Sequence, residues 1–129
     1  MDLDRRAHFR LGVHKGSMVE KVYKKASIQE RHRHRFEFNN KFRAIFEKNG
    51  MDLSGICEER DLVEIIEIPD HMFFVGVQFH PEFKSKPMDP HPLFTQFVRS
   101  SLKNREQAKP TTRKATKTKR TSGYSAAAL

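Results

Sequence analysis

This sequence of 129 residues is poor in the features that stabilise secreted and membrane proteins. It contains one cysteine, Cys57, and no tryptophan. A single cysteine cannot form an internal disulfide or a metal site built from several cysteines, and such low usage is typical of a reducing cytoplasm. The longest apolar stretch, Met72–Val77, is far too short to cross a bilayer, and Met1–Arg6 lacks the apolar core of a signal peptide. We therefore expect a soluble protein located in the cytoplasm.

Acidic residues are almost absent from the last part of the chain. The net charge is +9, but eight basic residues lie from Lys103 to Arg120 against the single carboxylate of Glu106. Large apolar residues are also scarce here, which predicts a disordered basic tail over residues 103–129 and a folded unit over residues 1–102. The tail could contact phosphates without sequence preference, but aromatic residues do not alternate with its basic ones. No specific nucleic-acid partner is therefore expected.

The first third of the chain shows extended and helical patterns. Phe9–Val13 is suited to a short strand, and Ser17 can cap a helix over Met18–Lys25. In Ile28–Phe38, arginine alternates with histidine and phenylalanine, which is the period of two of an extended segment. One face of this segment is cationic and the other becomes aromatic.

A second helix is predicted after Asn39 or Asn40, either of which can cap it. Gly50 is placed to end this helix in a left-handed conformation. The apolar residues of the helix are spaced i, i+3 and i+4: Phe42, Ile45 and Phe46.

The following part of the chain predicts two strands and a last helix. Leu62–Ile68 and Phe73–Phe79 are rich in apolar residues, and the turn former Pro69 lies between them. Because Phe73–Phe79 is apolar on both faces, we expect a central strand. Asp89 is expected to cap the last helix. The apolar stripe of that helix consists of Phe94, Phe97, Val98 and Leu102. Interleaved strands and helices favour an α/β fold, of which this chain supplies only part.

The most informative stretch is Gly76–Phe83, in which an apolar strand leads to His80, Pro81 and Glu82. Pro81 cannot donate a ladder hydrogen bond and so ends the strand pairing. In extended geometry His80 and Glu82 project from one face, so the carboxylate can hold one imidazole nitrogen while the other faces a nucleophile or substrate. This pair has the composition of the base and its orienting group in a nucleophilic triad. From the residues alone, a surface or hydrogen-bonded histidine is the more common interpretation of a histidine at a strand end.

The segment Arg31–Arg35 also allows more than one interpretation. Its three arginines could form a solvated basic strand or bind an anionic ligand, and His32 and His34 could in principle hold a metal.

Three longer stretches accompany the His80 motif: Glu30–Asn39, Leu62–His71 and Phe83–Phe94. Together with Gly76–Phe83 they resemble the class I glutamine amidotransferase domain of CTP synthases, and not GMP, anthranilate or carbamoyl-phosphate synthases. The resemblance implies the C-terminal part of an α/β domain with a mixed sheet and flanking helices.

The resemblance also implies roles for three residues. His80 is similar to the family's general base, Glu82 to its orienting carboxylate, and Arg35 to the residue that helps to hold glutamine. In the family, ammonia from glutamine feeds the ATP-dependent amination of UTP to CTP, and GTP stimulates glutamine hydrolysis. Magnesium and ATP act in a separate synthase domain, and the enzyme is usually a homotetramer. No cofactor is therefore expected to bind this chain itself.

One part of the family pattern is missing from the sequence. The family's nucleophile lies in a Gly-Ile-Cys-Leu-Gly elbow far upstream of the histidine, together with its oxyanion hole. Gly55-Ile56-Cys57 matches the first three letters, but Glu58 follows and His80 is only 23 residues away. Cys57 is therefore interpreted as structural. The chain alone is expected to be inactive without the elbow and synthase domain; the alternative is a non-catalytic remnant or interaction module.

Overall fold

The computed structural model describes residues 8–108, which form one sheet and three α-helices. The strands are β1 (His8–Val13), β2 (Ser27–Arg31), β3 (Asp52–Cys57), β4 (Leu62–Glu67) and β5 (Val75–Val77). The helices are α1 (Met18–Tyr23), α2 (Arg43–Lys48) and α3 (Pro92–Gln107), with single 3-10 turns at Asn40–Phe42 and Pro81–Phe83. The disorder predicted for residues 103–129 is wrong for residues 103–107, which belong to α3, and residues 109–129 lie outside the described residues.

The five strands lie in the order β2-β1-β3-β4-β5, and every neighbouring pair is antiparallel. The combination of helices with a sheet confirms the predicted α/β class. Parallel pairings, which a mixed sheet includes, do not occur between residues 8 and 108. The strand Phe9–Val13 and the strand Leu62–Ile68 are confirmed to within one residue at each end.

Strand β5 lies at an edge, so the prediction of a central strand was wrong. Among the described strands it pairs with β4 alone. One face of the surrounding segment packs on the core through Phe73, Val75, Val77 and Phe79. On the opposite face Phe74 is 40% exposed. The prediction failed because the uncovered face of this segment also carries apolar residues. Its sequence pattern is therefore the same as that of a strand covered on both faces.

The sheet curls so that its two outer strands approach one another. Strand β2 ends at Arg31, whereas the extended segment was predicted to continue to Phe38. The segment that follows β5 lies along the outer edge of β2. The His80 N–H donates to the Arg31 carbonyl at 2.9 Å, and Lys84 Nζ donates to the Gln29 carbonyl at 2.6 Å. These bonds satisfy backbone groups that an open sheet edge would leave to solvent.

The core lies inside this curl and is built from almost every element. Its buried members are Leu11, Val19, Ile28, Cys57, Ile65, Phe79 and Leu93. Gly55 faces Ile65 so closely that an added Cβ would lie 2.7 Å from Ile65 Cβ, a distance at which carbon atoms overlap. A side chain is therefore excluded at Gly55 by close packing of β3 against β4.

The two short helices begin and end much as predicted. Ser17 caps α1 by accepting the Glu20 N–H at 3.0 Å. Asn39 caps the 3-10 turn that precedes α2, and Gly50 follows that helix with φ of 83°. Glycine adopts this left-handed conformation without steric cost, which explains its position at the helix end.

Helix α3 differs from the prediction in its start, its length and its exposure. His91 caps it, and not Asp89, because Pro92 occupies the first helical position, where its missing N–H costs nothing. The helix continues to Gln107, past the boundary predicted at Leu102. Leu93 is buried, but the predicted stripe is 42–56% exposed along its whole length: Phe94, Phe97, Val98 and Leu102. Within residues 8–108, no helix is both long enough and apolar enough to span a bilayer.

Candidate active site

His80 and Glu82 are in direct contact at the point where the sheet curls closed. His80 Nδ1 lies 2.7 Å from Glu82 Oε1, and the two side chains are 35% and 56% exposed. The contact arises differently from the prediction. Regular pairing in β5 ends at Val77, and Glu82 lies within the 3-10 turn that begins at Pro81. The turn, and not an extended strand, brings the carboxylate back to the imidazole.

The contact fixes which ring nitrogen can act as a base. The hydrogen bond from His80 lowers the pKa of the Glu82 carboxyl, so this group is ionised at neutral pH. An ionised carboxylate can only accept a hydrogen bond, so Nδ1 carries the proton and Nε2 is the basic nitrogen of the neutral ring. The arrangement can therefore accept a proton at Nε2 and stabilise the resulting imidazolium through Glu82.

A buried hydrogen-bond network supports β2, the strand whose Arg31 carbonyl accepts the His80 N–H. Glu30 is buried in β2 and accepts hydrogen bonds from Tyr23 Oη at 3.0 Å and His91 Nε2 at 3.2 Å, with Lys84 Nζ at 3.4 Å. Burial by itself raises the pKa of Glu30, but the His91 hydrogen bond and the Lys84 charge leave it below its ordinary value. Burial, with the charge of Glu30, raises the pKa of Tyr23. The network thus connects α1, β2 and the start of α3.

His32 is a structural residue in this arrangement. It is buried, and its two ring nitrogens contact the Glu30 carbonyl at 3.1 Å and Glu64 Oε2 at 2.9 Å. Both ring nitrogens therefore have partners in the fold, and the metal site considered for His32 and His34 stays untested. Within residues 8–108 no group of three or more side chains is placed to hold a metal ion.

Arg35 is not bonded to the His80–Glu82 pair within the described residues. It follows β2 in an irregular segment, its side chain is exposed, and its guanidinium carbon is 5.7 Å from the Phe36 ring centre. No hydrogen bond or ion pair joins it to His80 or Glu82 in the described part of the chain. Its predicted role in holding glutamine therefore stays a prediction.

An open cleft also lies beside these elements. A cleft of about 650 Å³ runs along β2 and is lined by Tyr23, Ser27, Glu30 and Lys84, among others, but by neither His80 nor Glu82. The candidate site is the His80–Glu82 pair and not this cleft, since an imidazole bonded to a carboxylate carries chemistry and an open groove does not by itself. The His80 imidazole faces an open surface.

Cys57 is a core residue. It lies at the end of β3, it is fully buried, and burial raises the pKa of its thiol above the ordinary value. A reactive cysteine has a lowered pKa and an accessible sulfur, so Cys57 has the opposite properties. The similarity of Gly55-Ile56-Cys57 to a nucleophile elbow has another cause: Gly55 makes room for Ile65, and Ile56 pairs with Val63 of β4.

The residues that support the site were not identified from the sequence. The alternating pattern in Ile28–Phe38 forms a strand only as far as Arg31, and Phe36 on its expected aromatic face is 80% exposed. The pattern also did not show that Glu30 and His32 are buried. Their partners Tyr23, Glu64 and His91 are 7, 32 and 61 residues away from them in sequence. Phe83 also escaped notice, although its ring stacks on His80 at 4.9 Å. No local pattern reveals partners that lie 32 and 61 residues apart, whereas the Phe83 contact is local and depends on the turn Pro81–Phe83.

Comparison with known proteins gives a consistent result. The family model described as glutamine amidotransferase class-I matches residues 4–100. The chain is 67% identical over 97 residues to the CTP synthase of Bdellovibrio bacteriovorus, covering 75% of this chain and 18% of that protein. It is 61% identical over 90 residues to the CTP synthase of Geotalea uraniireducens, covering 70% of this chain and 17% of that protein.

A solved structure is also similar. The glutaminase domain of Trypanosoma brucei CTPS with bound acivicin superposes with a TM-score of 0.72 at 35% identity. The match covers 77% of this chain and 40% of that one. The chain thus spans less than half of that glutaminase-domain chain and less than a fifth of these two CTP synthases.

Proposed function

Because this chain belongs to the class I glutamine amidotransferase family, we propose that it forms part of the glutaminase site of a CTP synthase, which supplies ammonia for the amination of UTP. The observation that carries the proposal is the 2.7 Å hydrogen bond between His80 Nδ1 and Glu82 Oε1. It leaves a basic imidazole nitrogen at an open surface, in a chain that is 67% identical to a CTP synthase over 97 residues.

In this proposal His80 is the general base and Glu82 orients it. Nε2 accepts the proton of a cysteine thiol, and the thiolate attacks the carboxamide carbon of glutamine. The imidazolium then returns the proton to the departing ammonia. Water, activated by the same nitrogen, hydrolyses the thioester to glutamate and restores the thiol. Glu82 stabilises the imidazolium throughout and remains ionised.

The thiol itself is proposed to come from a segment outside these 129 residues. The burial of Cys57 and the raised pKa of its thiol support this, because both properties are unfavourable for a nucleophile. Arg35 is exposed, and its fork of donors is suited to the carboxylate of glutamine once a pocket is completed around it. The exposed stripe of α3 supports the same view, because an apolar face of this kind is normally covered by another element.

The remaining properties are proposed for the parent enzyme and rest on its similarity to CTP synthases. They are sites for magnesium, ATP and UTP in a synthase domain, stimulation by GTP, a homotetrameric state and a location in the cytoplasm. We assign none of the nucleotide or metal sites to residues of this chain.

The experiment that tests the proposal is complementation. We expect the purified chain to hydrolyse no glutamine, because His80 has no accessible thiol to activate. Co-expression with the CTP synthase of Bdellovibrio bacteriovorus from which the matching 97 residues have been removed should restore glutamine-dependent CTP formation. CTP is measured with glutamine and, separately, with ammonium as the nitrogen source.

Two outcomes would contradict the proposal. Glutamine turnover by the pure chain that disappears in His80→Ala would show that no external thiol is needed. A stable complex of the two proteins that forms CTP from ammonium but never from glutamine would favour the alternative of a non-catalytic interaction module.

Cys57 provides an independent check of the residue assignments. We expect Cys57→Ala to leave glutamine-dependent activity of the complemented enzyme unchanged and to lower the free energy of unfolding by about 1 kcal/mol, because a small buried group is lost. Urea unfolding followed by circular dichroism measures the second effect. Loss of glutamine-dependent activity in a variant that remains folded would show that Cys57 takes part in catalysis.

A further inference from the structure

Phe83 is the immediate neighbour of the His80 imidazole. Their ring centres are 4.9 Å apart and the rings are inclined by only 20°, which is a stacked arrangement. Phe83 belongs to the same 3-10 turn as Glu82, and its N–H donates to the His80 carbonyl at 3.1 Å. The turn therefore places a carboxylate at one ring nitrogen and an aromatic face against the ring plane.

Arg31 contacts the same phenyl ring from β2. Its guanidinium carbon lies 5.2 Å from the Phe83 ring centre, within the range of a cation–π contact. The Arg31 carbonyl also accepts the His80 N–H at 2.9 Å. His80 is thus connected to β2 twice, directly through its backbone and indirectly through the Phe83 ring.

These contacts act on the same ring rotation as the Glu82 hydrogen bond. Rotation about χ2 of a histidine is soft, and it moves Nδ1 and Nε2 together, so a single hydrogen bond at Nδ1 still allows the ring plane a spread of orientations. A stacked ring on one side limits that rotation. The direction of Nε2 decides whether it can accept a proton, because transfer requires the two atoms within hydrogen-bond reach.

We propose that Phe83, supported by Arg31, is a positioning residue that holds the plane of the His80 imidazole so that Nε2 points to the reacting thiol. The inference rests on the proposed function of His80. It assigns a role to a side chain that contains no titratable group and touches no reacting atom, and that lies 37% exposed outside the buried core.

The stack is tested on the chain as it is, by NMR of the histidine ring C–H groups. In the wild type, the ring current of Phe83 should shift the His80 signals upfield. We expect Phe83→Leu to abolish this shift and Phe83→Tyr to keep it. Phe74→Leu, which removes another exposed phenylalanine at 40% exposure, should leave the His80 signals unchanged. Identical His80 shifts in the wild type and Phe83→Leu would overturn the proposal.

The functional effect is tested in the complemented enzyme. We expect Phe83→Leu to lower kcat for glutamine by roughly 10- to 100-fold with little change in KM, since misdirecting a base costs about this much. Phe83→Tyr should restore kcat, and Phe74→Leu should not lower it. Full kcat in Phe83→Leu, or a rise in KM alone, would overturn the positioning role. If His80→Ala is also fully active, it is the proposed function that fails, and this inference with it.

Discussion

His80→Ala is expected to lower glutamine-dependent CTP formation by the complemented enzyme by about 10³-fold, the typical contribution of a general base. Ammonium-dependent CTP formation should be unchanged, because that reaction bypasses glutamine hydrolysis. The physical reason is that Nε2 is the proton acceptor, and Glu82 has nothing to orient once the imidazole is removed. Initial rates with saturating glutamine and with ammonium, measured on the same preparation, give both quantities.

A matched control is available within the chain. His14 is also a surface histidine whose Nδ1 contacts a carboxylate, that of Asp52 at 3.1 Å. His14→Ala therefore removes the same chemical group from a second histidine–carboxylate pair, and it should leave glutamine-dependent activity unchanged. Equal losses in the two variants, or a parallel loss of ammonium-dependent activity in His80→Ala, would mean that the effect is structural and that His80 is not the base.

Glu67→Ala is expected to lower the free energy of unfolding by about 3 kcal/mol. Glu67 is buried at the end of β4, and its two carboxylate oxygens accept the N–H groups of Met18 and Val19 at 2.8 Å each. These N–H groups belong to the first turn of α1 and have no partner within that helix. Alanine would leave two buried donors unsatisfied and remove a charge that the helix N-terminus favours.

Two further variants separate these causes. Glu67→Gln keeps the volume of the side chain, but its amide NH₂ opposes one of the two helix donors, so an intermediate loss is expected. Glu47→Ala replaces an exposed glutamate in α2 and should change stability by less than about 0.5 kcal/mol. Urea midpoints followed by circular dichroism are the measurement. A Glu67→Ala protein as stable as the wild type would show that this cap is not needed for folding.

Local sequence patterns were sufficient for several elements. Ser17 and Gly50 marked the start of α1 and the end of α2 because capping and left-handed backbone depend on a few adjacent residues. They were insufficient for β5 and for the stripe of α3. Both are apolar in sequence, but whether an apolar face is covered depends on which elements lie against it, and this is not a local property.

The sequence by itself determined the family of this chain and identified His80 and Glu82 as a candidate pair around Pro81. Both conclusions follow from residue types at fixed short spacing. Only the tertiary structure decided that Glu82 reaches His80 through a turn, that Phe83 stacks on the imidazole, and that Cys57 is buried. It also showed that β2 and the segment after β5 close the sheet around the core. The reason is that burial and hydrogen bonding between residues far apart in the chain are set by the packing of whole elements, to which each residue contributes only part.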